Sequence, residues 1–293
     1  MTTLEPDRLV EGLREQTAAF GRAVAGGDPE AKVPACPQWR LRDLVGHVGQ
    51  ATRWAAGLIR AASTPPPLSH PADCLPDSGQ ARAASASPPL PDPLDDPPSN
   101  GQARATRAPL PVPDPHDGLP GSPAAWGAWL RDGAEELIAA VRSAAPDAPV
   151  WSFAGAVPPA FWLRRMFCET AVHHHDAATT TGVAYAIADD LAADVITEAL
   201  ELVTAPGVEA FKPELAALRG RGERLAVRAD GMPGWLITRT PGGPRWERSD
   251  TEADVVVSGP VAECMLVLAR RVPPRRVGGD LALLRHWLGH TAF

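Results

Sequence analysis

The chain has 293 residues, and its formal net charge at pH 7 is −7 because 35 aspartate and glutamate residues outnumber 28 lysine and arginine residues. An acidic chain does not favour nucleic acid or an anionic membrane surface as a partner. No apolar run approaches the roughly 20 residues that a membrane-spanning helix needs. The charged N-terminal sequence also lacks the apolar stretch of a signal peptide, so we predict a cytoplasmic location.

The cysteines do not form a metal-binding motif. Cys36, Cys74, Cys168 and Cys264 are far apart, and no two of them form a CxxC pair. This spacing excludes a zinc finger and favours reduced thiols.

Four segments have apolar residues at helical spacing: residues 4–25, 40–62, 123–144 and 158–181. Glycine follows the first and the last of them, as is common where helices end. Four helices with one long connection between the second and the third predict a four-helix bundle over residues 1–182.

The connection between the second and third helices, residues 64–122, has a different composition from the rest of the chain. It holds about half of the 33 prolines and contains a short duplication, in which residues 78–93 resemble residues 100–115. A segment with so few large apolar side chains cannot bury enough surface to offset the chain entropy lost on folding. We predict a disordered, proline-rich insertion.

From residue 183 the pattern changes to a mixture of helices and strands. Helical spacing covers 189–204, 260–271 and 281–288, and short alternating stretches at 225–229, 235–240 and 253–258 predict strands. Residues 183–293 are therefore predicted to form a small α+β domain, and the chain as a whole belongs to the α+β class.

The stretch 161–182, FWLRRMFCETAVHHHDAATTTG, concentrates polar residues on one face of a predicted helix. At about 100° per residue, Glu169, His173 and Asp176 share a stripe with Arg165, whereas His174 and His175 point elsewhere. Burying two carboxylates and an imidazole is costly unless something pairs with them, and a metal ion would do so.

His47 lies on the apolar face of the second predicted helix, together with Leu44 and Trp54. A histidine in such a place either donates a hydrogen bond within the core or serves as a ligand. The residues alone leave both interpretations open.

Three stretches resemble the mycothiol-dependent maleylpyruvate isomerase family: residues 36–56, residues 161–182 and residues 253–287. The resemblance implies a DinB-like four-helix bundle that binds a divalent metal ion, typically zinc, through His47, Glu169 and His173. A His₂Glu set leaves a fourth coordination position open, as in catalytic zinc sites. One departure is Arg40, which stands where the family usually has the Ser or Thr that caps a helix, although Asp43 of the capping box remains.

The resemblance also implies a reaction. A metal-bound thiol, mycothiol, would attack an electrophilic small molecule, in an isomerisation or in an S-transfer, without a nucleophile from the protein. Asp176 is then expected either to orient a ligand or to be a surface carboxylate. Arg165 is expected either to bind a substrate carboxylate or to pair with Glu169, and Cys168 to be a packing residue.

Two other functions are compatible with the same residues. The bundle could hold its metal without catalysing a reaction, as a binding or regulatory module, or it could be a hydrolase that activates zinc-bound water. The expected partners are a small substrate and a small thiol. The sequence does not set the oligomeric state, and it is compatible with a monomer.

Overall fold

The computed structural model describes residues 4–62, 114–152 and 155–291. Most of the predicted insertion, residues 63–113, lies outside the described residues. The N-terminal part contains four helices and two short hairpins: α1 (Pro6–Val24), β1 (Lys32–Val33), β2 (Cys36–Arg40), α2 (Leu41–Ala62), α3 (Pro123–Ser143), β3 (Val150–Ser152), β4 (Gly155–Val157) and α4 (Pro159–Thr181).

The C-terminal part combines helices with a sheet, so the predicted α+β class is confirmed. Its elements are α5 (Asp189–Val203), α6 (Val208–Phe211), a 3₁₀ helix (Pro213–Leu218), β5 (Arg224–Ala229), β6 (Trp235–Thr240), β7 (Gly243–Arg248), β8 (Val255–Gly259), α7 (Val261–Leu268), β9 (Arg276–Gly279) and α8 (Leu281–His290). None of the helices in the described ranges is long and apolar enough to cross a membrane.

The ends of the bundle helices follow local rules. Pro6, Pro123 and Pro159 stand at the first helical position, where the missing N–H has no partner to lose. Helix α4 ends at Gly182, whose φ of 73° is in the left-handed region that glycine adopts without steric cost. The helix that carries most of the site is thus delimited by its own sequence.

The start of α2 retains half of a capping box. The side chain of Asp43 accepts a hydrogen bond of 2.7 Å from the backbone N–H of Arg40. Arg40 has no hydroxyl to complete the box, but it lies in β2, and the hairpin of β1 and β2 holds the chain in place just before the helix. This hairpin, which the sequence did not predict, fixes Trp39 next to the N-terminus of α2.

The bundle helices approach each other closely where both carry glycine. α1 packs against α3 and α4, and α2 packs against the same two helices. At Gly21 in α1, an added Cβ would lie 2.8 Å from the Cα of Gly127 in α3, so the two backbones are nearly in contact.

We expect Gly21→Ala to destabilise the fold by about 1–2 kcal/mol. The cost of the clash with a backbone atom exceeds the free energy that alanine gains from its higher helix propensity. Chemical denaturation of the variant measures this loss. Gly26→Ala is the matched control, since a Cβ at Gly26 would have no neighbour within 4 Å. Equal stability of the two variants would contradict the close approach of α1 and α3.

The end of the predicted insertion is described and contacts α2. The carbonyl oxygen of Pro115 lies 2.1 Å from where a Cβ of Gly46 would be, and the side-chain amide of Gln50 donates to the carbonyl of Asp117. Residues 114–122, which composition alone assigned to the insertion, are therefore packed against the bundle because a glycine in α2 leaves room for them.

The sheet of the C-terminal part has the strand order β7-β6-β5-β8-β9. β5 pairs in parallel with β8, and the other neighbours are antiparallel. Helix α7 follows β8 directly and packs on β5 and β8, while α5 packs on both α7 and α4. This arrangement brings the end of α7 next to α4.

One hydrophobic core runs through both parts of the chain. Phe167 of α4 and Leu191 of α5 meet at Gly12 of α1, where an added Cβ would lie 3.1 Å and 2.7 Å from them. The same cluster of buried residues continues to Trp235 in the sheet. The helix α4 is therefore held from the bundle side and from the C-terminal side.

Candidate metal centre

Three side chains converge between α2 and α4. His47 comes from the second turn of α2, and Glu169 and His173 are one turn apart on α4. One ligand atom from each lies within 4.8 Å of the others, and the two imidazole centroids are 5.2 Å apart. His173 is buried, while His47 and Glu169 are half-buried, so the group faces a partly open space.

The electrostatics of this group suit a cation. Burial, and then the neighbouring His173, lowers the pKa of His47 to about 4, so its imidazole is neutral at pH 7. Burial would raise the pKa of Glu169, but Arg165 and His173 hold it well below its ordinary value, so the side chain is a carboxylate. Neutral imidazole and carboxylate are the forms that bind a metal.

His173 is held in place by Asp176. Its Nδ1 lies 2.9 Å from Oδ2 of Asp176, and its Nε2 lies 3.2 Å from Oε2 of Glu169. Burial lowers the pKa of His173, but the hydrogen bonds to Asp176 and Glu169 raise it more. A carboxylate on the far nitrogen of a ligand histidine is the usual way to fix its tautomer.

Asp176 in turn is bound by the C-terminal part of the chain. Arg271 donates to both of its carboxylate oxygens, from Nε and Nη2, at 2.9 Å each. The carboxylate is fully buried, which would raise its pKa, but the hydrogen bonds to His173 and Arg271 hold the pKa below its ordinary value. Sequence analysis did not find Arg271, which is 95 residues from Asp176 along the chain.

Arg165 pairs with carboxylates on both sides. Its guanidinium donates to Glu169 and, at 2.5 Å, to Glu198 of α5. Of the two arrangements expected from the sequence, the structure thus contains the ion pair with Glu169. Around the three candidate ligands, carboxylates are therefore paired with guanidiniums: Glu169 and Glu198 with Arg165, and Asp176 with Arg271.

Trp39 covers the two histidines. Its ring centroid lies 4.8 Å from that of His47 and 5.9 Å from that of His173. Its position directly before α2 was visible in the sequence, but its role as a wall of the site depends on the unpredicted hairpin.

A cavity of about 120 Å³ adjoins Glu169 and His173. On the side of the C-terminal part, its lining includes Met265, Leu268, Ala269, Arg270 and Arg271. The end of α7 and the residues that follow it therefore cover the site next to α4. Arg270 is the one non-glycine residue of the described ranges with a positive φ, which is 60°. No carboxylate in the described ranges forms an ion pair with it. Its guanidinium reaches only the carbonyl of Leu288, at 3.5 Å.

The neighbouring residues of α4 lie outside this group, as predicted. Nδ1 of His174 lies 2.8 Å from the side-chain oxygen of Gln16 in α1, and burial followed by the charge of Arg22 lowers the pKa of His174 to about 4. His175 lies 3.9 Å from Asp176. The thiol of Cys168 is buried, and burial raises its pKa well above the ordinary value.

Comparison with known proteins decides the family. Residues 10–178 match the family model described as the mycothiol maleylpyruvate isomerase N-terminal domain, which is more than half of the chain. The chain belongs to this family. Residues 190–286 match the model of the family's C-terminal domain. The resemblance predicted from three stretches of sequence is confirmed, and the family is enzymatic.

Two solved structures are similar to this chain. One is a mycothiol-dependent maleylpyruvate isomerase, with 17% identity and a TM-score of 0.56 over 96% of this chain and 98% of that chain. The other is a mutant described under the same name, with 16% identity and a TM-score of 0.48 over 93% of each chain. At such identity the first likeness shows a shared fold. Comparison with curated proteins finds no significant match.

Proposed function

We propose that the protein is a metal-dependent enzyme in which a low-molecular-weight thiol, mycothiol, attacks a small electrophile and isomerises it. The observation that carries this proposal is the convergence of His47, Glu169 and His173 within 4.8 Å, in a family named for a mycothiol-dependent isomerase. The solved structure of similar fold is named for maleylpyruvate, which makes that compound the first electrophile to test. Transfer of the thiol to the product is the alternative outcome for the same site.

The residues of the group fit a divalent metal, for which zinc is the first choice. Two imidazoles and one carboxylate are the ligand types of catalytic zinc sites, and three protein ligands leave one position open. A metal bound there would lower the pKa of a coordinated thiol and so supply a thiolate at neutral pH.

The other residues of the site position these ligands. Asp176 accepts from Nδ1 of His173, which leaves the lone pair on Nε2 directed towards the metal position. Arg165 holds the carboxylate of Glu169. Trp39 covers one side of the group and α7 the other, and both restrict the access of water.

Arg270 is the residue best placed to bind a carboxylate of the electrophile. It borders the same cavity as Glu169 and His173, and no carboxylate in the described parts of the chain pairs with it. Arg165, our first candidate from the sequence, is already engaged by Glu169 and Glu198. We therefore assign to Arg165 the positioning of Glu169, and to Arg270 the contact with substrate.

Among the described cysteines, the one that borders this cavity is a poor nucleophile. Cys168 borders it, but its buried thiol has a raised pKa and stays protonated at pH 7. The attacking sulfur is therefore expected to arrive with the small thiol.

We expect the cobalt-substituted protein to develop a sulfur-to-cobalt charge-transfer band in the near ultraviolet when mycothiol, or its cysteinyl-glucosamine core, is added. The reason is that the open position of a three-ligand site accepts thiolate. Absorption spectroscopy during the titration measures the effect. Isomerisation of maleylpyruvate should depend on the same thiol.

Two controls separate the possible outcomes. The band should be absent in Glu169→Gln if that variant loses the metal, and a thiol-free alcohol of similar size should not produce it. If the spectrum of the wild-type protein stays unchanged at millimolar thiol, the proposal that the protein is a thiol-dependent enzyme is wrong. Turnover of esters or amides without thiol would then favour a hydrolase, and metal binding without turnover would favour a binding module.

A further inference from the structure

A second cavity, of about 590 Å³, lies between α1, α4 and the segment that leads into α5. None of the three candidate metal ligands borders it. Its volume is several times that of the cavity beside the metal ligands, and it falls in the range of small-molecule sites, roughly 300–1,000 Å³. The residues that line it are Glu15, Gln16, Ala19, Arg22, Ala23, His174, Val183, Ala184, Ala186, Ile187 and Ala188.

A buried pair of side chains, Gln16 and His174, lines this cavity, and their hydrogen bond fixes the tautomer of the histidine. The side-chain N–H of Gln16 donates to the carbonyl of Ala186 at 3.3 Å, so its oxygen faces Nδ1 of His174, 2.8 Å away. Nδ1 therefore carries the proton, which leaves Nε2 as an acceptor. Both side chains are only 3% exposed, so this geometry is held by the fold.

A cation without a partner stands at the rim of the cavity. Arg22 is exposed on α1, and no carboxylate in the described parts of the chain forms an ion pair with it. Glu15, the acidic residue that also borders the cavity, is occupied by Arg8 at 3.1 Å. The guanidinium of Arg22 is thus available to an anionic group of a ligand.

The remaining wall is apolar and built from small side chains. Ala19 and Ala23 of α1 face Ala186 and Ile187 of the segment 183–188. Val183, which is 46% exposed, extends this surface to the outside. A ligand that fills the cavity therefore needs an apolar body between its polar ends.

We propose that this cavity binds a small carboxylate whose apolar body carries a hydroxyl group at the opposite end. The carboxylate would pair with Arg22, and the hydroxyl would donate to Nε2 of His174. A para-hydroxyphenylpropanoate, which carries a carboxylate and a hydroxyl at opposite ends of an apolar body, serves as the probe.

The single tyrosine of the chain allows a specific test. Tyr185 lies next to the cavity, with its ring centroid 4.9 Å from that of His174. Protein labelled with meta-fluorotyrosine should give one fluorine resonance, which is assigned without further variants. We expect this resonance to shift saturably during titration with para-hydroxyphenylpropanoate, with a dissociation constant of about 1 mM or tighter.

Variants and a second probe identify the contacts. Arg22→Gln should weaken binding about tenfold or more through loss of the charge-assisted bond, whereas Arg131→Gln, an exposed arginine of α3, should not. Phenylpropanoate, which lacks the hydroxyl, should bind several-fold more weakly. His47→Ala should bind the probe normally, because His47 does not border this cavity.

Three results would overturn the proposal. The first is a linear, unsaturable shift of the Tyr185 resonance. The second is equal weakening by Arg22→Gln and Arg131→Gln, which would indicate general charge attraction. The third is loss of binding in His47→Ala, which would place the probe at the metal centre. The outcome does not depend on whether the metal centre uses a thiol.

Discussion

His173→Ala is expected to lower the affinity for a divalent metal by about 100-fold or more. Loss of a partner that merely orients a ligand typically costs 10–100-fold, so the loss of one of three ligands should cost more. Measurement of bound zinc after purification, and of its affinity by competition with a chelator, gives the effect. The wild-type protein is expected to hold one equivalent.

The two neighbouring histidines provide matched controls for this experiment. His174 faces α1, and His175 lies beside Tyr185, with a ring-centroid distance of 5.2 Å. His174→Ala and His175→Ala should therefore retain the metal, although the first will reduce stability because it leaves the buried oxygen of Gln16 without its partner. Equal metal content in all three variants would contradict the assignment of His173.

The second large effect is expected from a residue far from the ligands in sequence. In Arg271→Ala, the fully buried carboxylate of Asp176 keeps its contact with His173 but loses both hydrogen bonds from Arg271. Removing one member of a buried pair costs about 3–5 kcal/mol. Because Asp176 then no longer holds His173 firmly, we also expect the metal affinity to fall about 10–100-fold.

Arg271→Lys and Arg270→Asn complete this experiment. Lysine restores the charge but not the two parallel hydrogen bonds, so we expect partial recovery of both stability and metal affinity. Asparagine tolerates the positive φ of residue 270, and Arg270 does not contact Asp176, so metal affinity should stay unchanged. Thermal unfolding and chelator competition measure the two quantities. A purely structural role of Arg271 would lower stability in Arg271→Ala without changing the metal affinity of the folded protein.

The helices of the bundle could be predicted from the sequence because each has a long apolar face, and three of the four begin at a proline. His47, Glu169 and His173 could be proposed together because two of them are one helical turn apart and a family resemblance supplied the third. The hairpin that positions Trp39 could not be predicted, since β1 has only two residues. Strands β7 and β9 were missed because the first is largely polar and the second ends in glycine.

The surroundings of the site were beyond sequence analysis for a different reason. Asp176 binds Arg271, and Arg165 binds Glu198, only because α5 and α7 dock on α4. No local pattern specifies that docking, since it depends on the shapes of two surfaces about 30 or more residues apart in the chain. The choice between a free and a paired Arg165 could therefore not be made in advance.

Because α1, α4 and α5 meet at Gly12, the two sequence modules of this protein share one hydrophobic core and do not fold as two independent domains. Two sequence modules match separate family models, but Leu191 of the second reaches into the helices of the first. Recombination that replaced either module alone would have to preserve the small residue at position 12 and the ion pairs around α4. A shared core of this kind is preserved when both modules are exchanged together, or when residues on its two sides change in a coordinated way.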